Sequence, residues 1–81
     1  MFNVGEKIIA RSNENEPCIV GIYKGLTKFN EKNFIPTIEE IKTKDIFYFN
    51  GVIVKYTDEL FKKLEAMNPK EQLMYLKGKI V

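Results

Sequence analysis

The sequence predicts a mainly β domain with a helical end, in which five short strands are followed by two short C-terminal helices. Three observations predict this fold class. Short segments rich in β-branched and aromatic residues recur along the first two thirds of the chain. An Asn-Gly pair lies between two of these segments, within residues 46–56. Two helix-start patterns then follow in close succession.

Two strands are predicted near the N-terminus, Glu6–Arg11 and Cys18–Lys24. The polar segment Ser12–Pro17 between them is typical of a turn, because its side chains bond readily to nearby backbone. Gly21 indicates a bend or a bulge, as at the corners of small barrels. Gly25 is expected to end the second strand.

The middle of the chain has the weakest pattern. Leu26–Phe34 shows no clear period and is interpreted as a loop, with Phe29 and Phe34 holding it to the core. Ile35–Ile41 follows as a third strand. Pro36 lacks a backbone donor, so this strand should begin at a sheet edge or start irregularly. Lys42–Lys44 is interpreted as a charged turn.

A tight hairpin is predicted from Ile46–Phe49 and Val52–Tyr56 around Asn50-Gly51, the pair favoured where both turn residues need positive φ. The predicted register sets Phe49 opposite Val52, Tyr48 opposite Ile53, Phe47 opposite Val54 and Ile46 opposite Lys55. The predicted core face carries Phe47, Phe49, Val52, Val54 and Tyr56. The other face carries Ile46, Tyr48, Ile53 and Lys55, and it is more apolar than a solvated face requires.

Two helices are predicted after the hairpin. Thr57 is a good N-cap for a helix over Asp58–Met67, with an apolar stripe at helical spacing. Asn68 caps a second helix, with Pro69 at its first position and Glu71 at its third. Gly78 is expected to stop this helix, which leaves the last three residues as a frayed tail or a short strand.

Together these elements predict one domain over residues 1–81, with a small SH3-like barrel at 1–56 and a helical appendage at 57–78. A ferredoxin-like arrangement is disfavoured, because no helix pattern separates the first two strands. The pattern leaves open whether the helices cover the outer hairpin face or cap one end of the barrel.

Composition argues against the commonest enzyme chemistries. The chain has no His and one Cys, Cys18, so general acid–base and zinc chemistry lack their usual carriers. Cys18 lies in an apolar run and is interpreted as a buried structural thiol. No cofactor, metal or catalytic residue is expected. With no signal-peptide pattern and no apolar run near 18 residues, we expect a soluble protein of a reducing cytoplasm.

Acidic pairs are the one enzyme-like feature. Glu39 and Glu40 are neighbours in a strand, so their side chains should point to opposite faces. Asp58-Glu59 is explained by the helix dipole. Glu14 and Glu16 would suit a loose cation and fall short of a calcium loop. None of these pairs predicts a reaction.

Binding to another protein is the leading functional hypothesis, because it requires an apolar patch with a polar rim. Three candidate surfaces are the outer hairpin face, the long loop and the polar turn. The outer hairpin face comprises Ile46, Tyr48, Ile53 and Lys55. The long loop contributes Phe29 and Phe34, and the polar turn contributes Asn13, Glu14 and Asn15. Each has a simpler explanation, as packing under the helices, as a loop anchor or as a wet turn.

Nucleic-acid binding is the alternative, because small barrels often combine a basic groove with stacking aromatics. The candidate cations and aromatics are Lys24, Lys28, Phe29, Lys32, Lys42, Lys44, Tyr48 and Lys55. Against it stand a net charge of only +2 and a single arginine, Arg11. A structural subunit of a homo-oligomer is a third reading, since a thin core favours self-association.

Three segments of the chain resemble a group of small proteins encoded by large tailed bacteriophages and described as SH3-like barrels. These segments are FNVGEKIIARSNENEPCIVGIYKG, VIVKYTDEL and MNPKEQLMYL, which cover over half of the chain. The resemblance implies a phage origin, a barrel fold and a role in host takeover or anti-defence inside the host cytoplasm. It implies no catalytic or ligand residues.

Overall fold

The computed structural model describes residues 2–11, 18–28, 30–49 and 51–79. These residues form a five-stranded sheet followed by two helices. The elements are β1 (Lys7–Arg11), β2 (Ile19–Lys28), β3 (Phe34–Glu40), β4 (Ile46–Tyr48), β5 (Val52–Lys55), α1 (Asp58–Glu65) and α2 (Pro69–Lys79). The predicted succession of strands and helices is therefore confirmed.

The sheet is antiparallel throughout, with the strand order β4-β3-β2-β1-β5. β1 lies between β2 and β5, and Ile9 is opposite Val20 on one side and Val54 on the other. β4 pairs with β3 over Thr37–Glu39, so Pro36 lies in the first part of β3, which is paired with β2 alone, as an edge or irregular start would require. The Pro36 carbonyl accepts the Phe49 N–H at 2.8 Å, and proline has no N–H to donate in return.

The predicted hairpin between β4 and β5 is wrong. β4 pairs with β3, through Ile38 opposite Phe47, while β5 pairs with β1 at the other edge of the sheet. Asn50 lies outside the described residues, and the link at 49–51 joins two strands that do not pair. The alternating apolar residues of β5 are compatible with pairing to β4 or to β1, and β1 is buried from Ile8 to Arg11.

Chain length shows that the sheet is curled. The four Cα–Cα steps from Tyr48 to Val52 can span at most about 14 Å. Four strand spacings in a flat sheet would separate β4 from β5 by roughly 19 Å. The two edges therefore approach each other more closely than a flat sheet allows.

The sheet carries buried apolar residues on both of its faces, and we name the two apolar layers by their position. The outer layer lies between the sheet and the helices and consists of Ile9, Val52, Val54, Leu60, Leu64 and Leu76. The inner layer consists of Ile8, Ala10, Tyr23, Ile38 and Phe49, with Phe2, Ile19 and Ile53 packed against it. These inner side chains pack against one another without a helix. The prediction that Phe49, Val52 and Val54 are core residues is confirmed, although they lie in different layers.

The predicted loop at Leu26–Phe34 is shorter than expected, because β2 continues to Lys28 and β3 begins at Phe34. Gly25 therefore does not end a strand. It has a φ of 104° next to a register shift between Tyr23 and Gly25, which is where the bulge lies. Gly21, where a bend or bulge was predicted, is instead a site of close backbone contact.

Both predicted helix starts are confirmed. Thr57 Oγ1 accepts the Leu60 N–H at 3.0 Å. The Asn68 side chain accepts the Glu71 N–H at 2.9 Å, and Glu71 accepts the Asn68 N–H at 3.1 Å, which completes a capping box. The predicted stop at Gly78 is wrong, since Gly78 does not adopt positive φ and the helix includes Lys79.

Among the described residues, no helix is long and apolar enough to cross a membrane.

Candidate functional site

The predicted outer hairpin surface is divided between the two edges of the sheet. Ile46 and Tyr48 stay together on β4, where 51% and 64% of their surfaces are exposed. Ile53 does not join them, because it is half-buried against the inner layer. Lys55 is exposed on β5, where its ammonium lies 3.4 Å from the Glu6 carboxylate. The four residues therefore do not form one surface.

Ile46 and Tyr48 belong to a surface that we name the β4 patch, together with Thr27, Lys28 and Ile35. Strand alternation places both side chains on the side of the sheet opposite Phe47 and the inner layer. Thr27, Lys28, Ile35 and Tyr48 line an open groove of about 450 Å³. The hydroxyls of Thr27 and Thr37 are hydrogen-bonded to each other next to this groove, which holds the ends of β2 and β3 together.

The opposite face of the β2–β3 end is also apolar and exposed. Leu26 is opposite Pro36, and Phe34 lies two positions from Pro36 on the same face. Phe34 is 58% exposed, so the prediction that it anchors a loop to the core is wrong. This end extends beyond the stretch that β1 pairs, which ends at Ile22, and nothing in the inner layer reaches it. Phe29, the other predicted anchor, lies outside the described residues.

A second groove, of about 470 Å³, lies between α1, the β3–β4 turn and the outer face of β1 and β2. Its lining residues are Lys7, Cys18, Val20, Glu40, Ile41, Lys42, Tyr56 and Phe61. The Lys7 ammonium lies 3.9 Å from the centre of the Tyr56 ring, a cation–π contact. A hydrogen bond to Asp58 raises the pKa of the Tyr56 phenol, with burial adding to the shift.

Arg11 is the buried polar residue that sequence reasoning missed. Its guanidinium Nη1 donates to Gln72 Oε1 at 2.6 Å and to Cys18 Sγ at 3.3 Å. Gln72 Nε2 in turn donates to the Leu64 carbonyl at 2.6 Å. This set links β1 to both helices. Because Gln72 lies 61 positions from Arg11, no local pattern indicates the contact.

Cys18 is half-buried, not fully buried as predicted, and it faces the second groove. Its sulfur belongs to the Arg11–Gln72 set, which explains its place structurally. A cysteine nucleophile normally relies on a base such as His, and the chain contains no His.

Three of the acidic residues that the structure describes, Glu6, Glu39 and Glu40, make local contacts. Glu39 lies 3.2 Å from the Lys24 ammonium, and Glu40 accepts the Thr43 hydroxyl at 3.0 Å. Glu6 accepts the Asn3 backbone N–H at 3.0 Å, and this bond, aided by Lys55, lowers the pKa of the Glu6 carboxyl. Among the described residues, no three His, Cys, Asp or Glu side chains are grouped as a metal site would require. Asn13, Glu14, Asn15 and Glu16 lie outside the described residues.

The lysines proposed for nucleic-acid binding are dispersed. Lys24 and Lys55 are each paired with a carboxylate. Lys28 and Lys32 lie near the β2–β3 turn, whereas Lys42 and Lys44 lie at the other end of β3. A seven-residue strand separates these two pairs by roughly 20 Å. Lys28 and Tyr48, a lysine and a predicted stacking residue, line the same groove.

Comparison with known proteins gives no relative: no family model, no curated protein and no solved structure matches this chain.

Proposed function

We propose that this chain is a non-enzymatic binding protein that docks on another protein through the β4 patch. The observation that carries the proposal is the pair of large side chains, Ile46 and Tyr48, exposed next to an open groove. Apolar and aromatic groups beside a polar rim are the composition of protein-binding surfaces. Thr27 and Lys28 provide that rim here.

We further propose that the curled sheet is a small SH3-like barrel. Its support is the strand order, in which consecutive strands β1 to β4 are neighbours and β5 returns to β1. The short link between β4 and β5 supports the same conclusion, because it draws the two edges together. In this proposal α1 and α2 cover the outer side of β1 and β5 and leave β4 free.

The resemblance of three segments to phage-encoded barrels supports a more specific role. We propose that the docking partner is a host or phage protein in the cytoplasm of an infected bacterium, and that docking serves host takeover or anti-defence. The contacts made by the acidic residues and by Cys18 support a role without catalysis, since each contact stabilises the fold.

The test is a pull-down from extract of phage-infected bacteria, comparing wild type with the double variant Ile46→Asp, Tyr48→Asp. We expect the double variant to capture at least about tenfold less partner than wild type, because truncating a hot-spot pair commonly costs more than 2 kcal/mol of binding free energy. Both side chains are exposed, so the fold should survive, as amide NMR spectra would show. Ile53 is unsuitable for this test, because it packs against the inner layer.

Met74→Asp is the matched control, since Met74 is 66% exposed on α2, away from the β4 patch. This variant should capture the partner as wild type does. Equal capture by the folded double variant would show that the β4 patch is not the docking surface.

Nucleic-acid binding remains the second candidate, favoured by Lys28 and Tyr48 in one groove. It predicts that short DNA or RNA oligonucleotides shift the amide signals of both residues at low salt, and that the shifts fade as salt rises. A folded protein whose spectrum does not respond would remove this candidate.

A further inference from the structure

The backbone of β4 presents hydrogen-bonding groups away from the sheet. The Phe49 N–H donates to Pro36 O at 2.8 Å, and the Glu40 N–H donates to Asp45 O at 2.9 Å. In an antiparallel pair, hydrogen-bonded and non-hydrogen-bonded residue pairs alternate. Ile38–Phe47 is therefore a hydrogen-bonded pair, while Thr37–Tyr48 and Glu39–Ile46 are not. The N–H and C=O groups of Ile46 and Tyr48 consequently point to the free edge.

Nothing in the part of the chain that the structure describes occupies this edge. No described backbone or side-chain hydrogen bond reaches the outward groups of Ile46 or Tyr48. Proteins usually protect an exposed edge by keeping the strand short or by placing a charge, a proline or a bulge within it. β4 is short, with three residues, but Ile46, Phe47 and Tyr48 include no charge or proline, whereas the β5 edge carries Lys55 and has α2 packed near it.

We propose that this edge pairs with the β4 edge of a second copy of the chain, in an antiparallel arrangement with its two-fold axis at Phe47. In that register Ile46 lies opposite Tyr48 of the second copy, and Tyr48 lies opposite Ile46 of the second copy. Each of these is a hydrogen-bonded pair that exchanges two N–H···O=C bonds. The outward groups of one copy thus match those of the other, and four hydrogen bonds form.

The side chains fit the same register. Neighbouring residues across an antiparallel pair lie on one face of the sheet, so Ile46 packs beside Tyr48 of the second copy. Such aromatic–β-branched pairs stabilise a sheet. Pairing at the edge leaves the face open, and it joins two β4 patches into one continuous surface. The proposal does not depend on what the β4 patch binds.

The interface is small, since only three residues on each side pair. It falls below the size of standard protein interfaces, and we expect association near millimolar concentration. The experiment is therefore an NMR dilution series of the wild-type protein, together with sedimentation velocity. We expect the amide signals of Ile46 and Tyr48 to move with concentration and their hydrogen exchange to slow as the dimer forms.

A mixed sample of isotope-labelled and unlabelled protein gives the decisive distance. Facing α-protons in a non-hydrogen-bonded antiparallel pair lie close together, so an intermolecular contact between the two Phe47 α-protons is expected. Tyr48→Pro removes one outward N–H from each copy without losing a bond to β3, and it should weaken association about tenfold or more. Tyr48→Phe keeps the N–H and should dimerise as wild type does.

Three results would overturn the proposal. A protein that remains monomeric at millimolar concentration has no such pairing. A dimer whose Ile46 and Tyr48 amides exchange freely uses another surface. A folded Tyr48→Pro variant that dimerises with undiminished affinity shows that the backbone of β4 makes no bond to the second copy. In each case docking of another protein on the β4 patch is tested separately by the double aspartate variant.

Discussion

Gly21 lies where the neighbouring strand leaves no space for a side chain. It is buried in β2, opposite Ile8 and Glu40. A Cβ there would lie 2.6 Å from Ile38 Cγ2 and 2.7 Å from the Glu39 carbonyl oxygen. The carbonyl belongs to the neighbouring strand, so it moves only if the sheet moves. Glycine is required here by space, because its φ is not positive.

Gly21→Ala should therefore lower the free energy of unfolding by about 1–3 kcal/mol, the usual cost of overpacking. Gly78→Ala is the matched control, because no atom lies within 4 Å of its added Cβ and the residue is helical. The control should be neutral or stabilising by up to about 1 kcal/mol. Urea denaturation of both variants gives the comparison. Equal stability of the two variants would contradict the close contact at Gly21.

Glu6 makes the N-terminal turn sensitive to acid. Its carboxylate accepts the Asn3 N–H, and the Asn3 carbonyl accepts the Glu6 N–H at 3.0 Å. The bond from the Asn3 N–H to the carboxylate, aided by the nearby Lys55 ammonium, lowers the pKa of Glu6 in the folded protein below its ordinary value. The stabilisation is therefore present above the ordinary pKa of a glutamate, and it is lost as the pH falls through the lowered pKa.

A carbon-detected NMR titration of the Glu6 carboxyl should give a midpoint below that of a glutamate in an unfolded peptide. Asn3→Pro removes the N–H that contributes most, so it should raise the pKa of Glu6. Lys55→Met should raise it less, because the ammonium at 3.4 Å is the smaller cause. A larger effect of Lys55→Met than of Asn3→Pro would reverse this order of causes.

The helices were predictable from sequence to within a turn, whereas the pairing of the strands was not. The cap formed by Asn68 and Glu71 joins residues only three positions apart, so the residue types in the sequence are enough to predict it. The partner of β5 lies in β1, and the alternation of Val52, Ile53 and Val54 is the same whichever strand it pairs with. The Asn50-Gly51 pair favoured pairing of β5 with β4, but β5 pairs instead with the more buried strand β1.

The same distinction explains the candidate surface. Alternation predicted that Ile46 and Tyr48 lie on the face opposite the core, whereas their exposure was left open by the sequence. The separation of Ile53 and Lys55 from them follows from the strand order and was not predicted. The contact of Arg11 with Gln72 depends on how α2 lies against the sheet. Patterns among residues that are close in sequence do not indicate how a helix lies against a sheet.

Gln72 is the polar residue through which α2 is joined to the rest of the fold, since it contacts both Arg11 and the Leu64 carbonyl. Gln72→Ala should lower the free energy of unfolding by about 1–3 kcal/mol, because the buried Arg11 guanidinium loses this acceptor. Lys70→Ala, at an exposed position of the same helix, should change it by less than about 0.5 kcal/mol. Thermal denaturation followed by circular dichroism measures both. An equally small effect of Gln72→Ala would mean that the linkage does not stabilise the docked helix.

The molecule as a whole is a curled sheet whose two edges are adjacent in sequence. Its extents of 39 × 22 × 22 Å describe an elongated body. The link at 49–51 fixes no register, because the strands that it joins do not pair. Lengthening the link should therefore be tolerated.

Inserting two glycines after Gly51 should cost about 0.5 kcal/mol, the entropy of a slightly longer loop. The same insertion after Thr43 should cost more, since the β3–β4 turn there is held by the Lys44 N–H to Glu40 O at 2.9 Å and the Asp45 N–H to Thr43 Oγ1 at 3.2 Å. Denaturant unfolding of the two insertion variants tests this. A tight β4–β5 hairpin would give the opposite order.

The pairing of β1 with β5 also has a consequence for the order of folding. β2, β3 and β4 each pair with the strand that follows or precedes them, so these contacts close short loops. Ile9 meets Val54 only after the whole intervening chain has been arranged. We expect β2–β4 to acquire amide protection early in a pulse-labelling experiment, and β5 with its two helices to acquire it late. A chain emerging from the ribosome would then keep the inner side of its sheet uncovered until the last strand is synthesised.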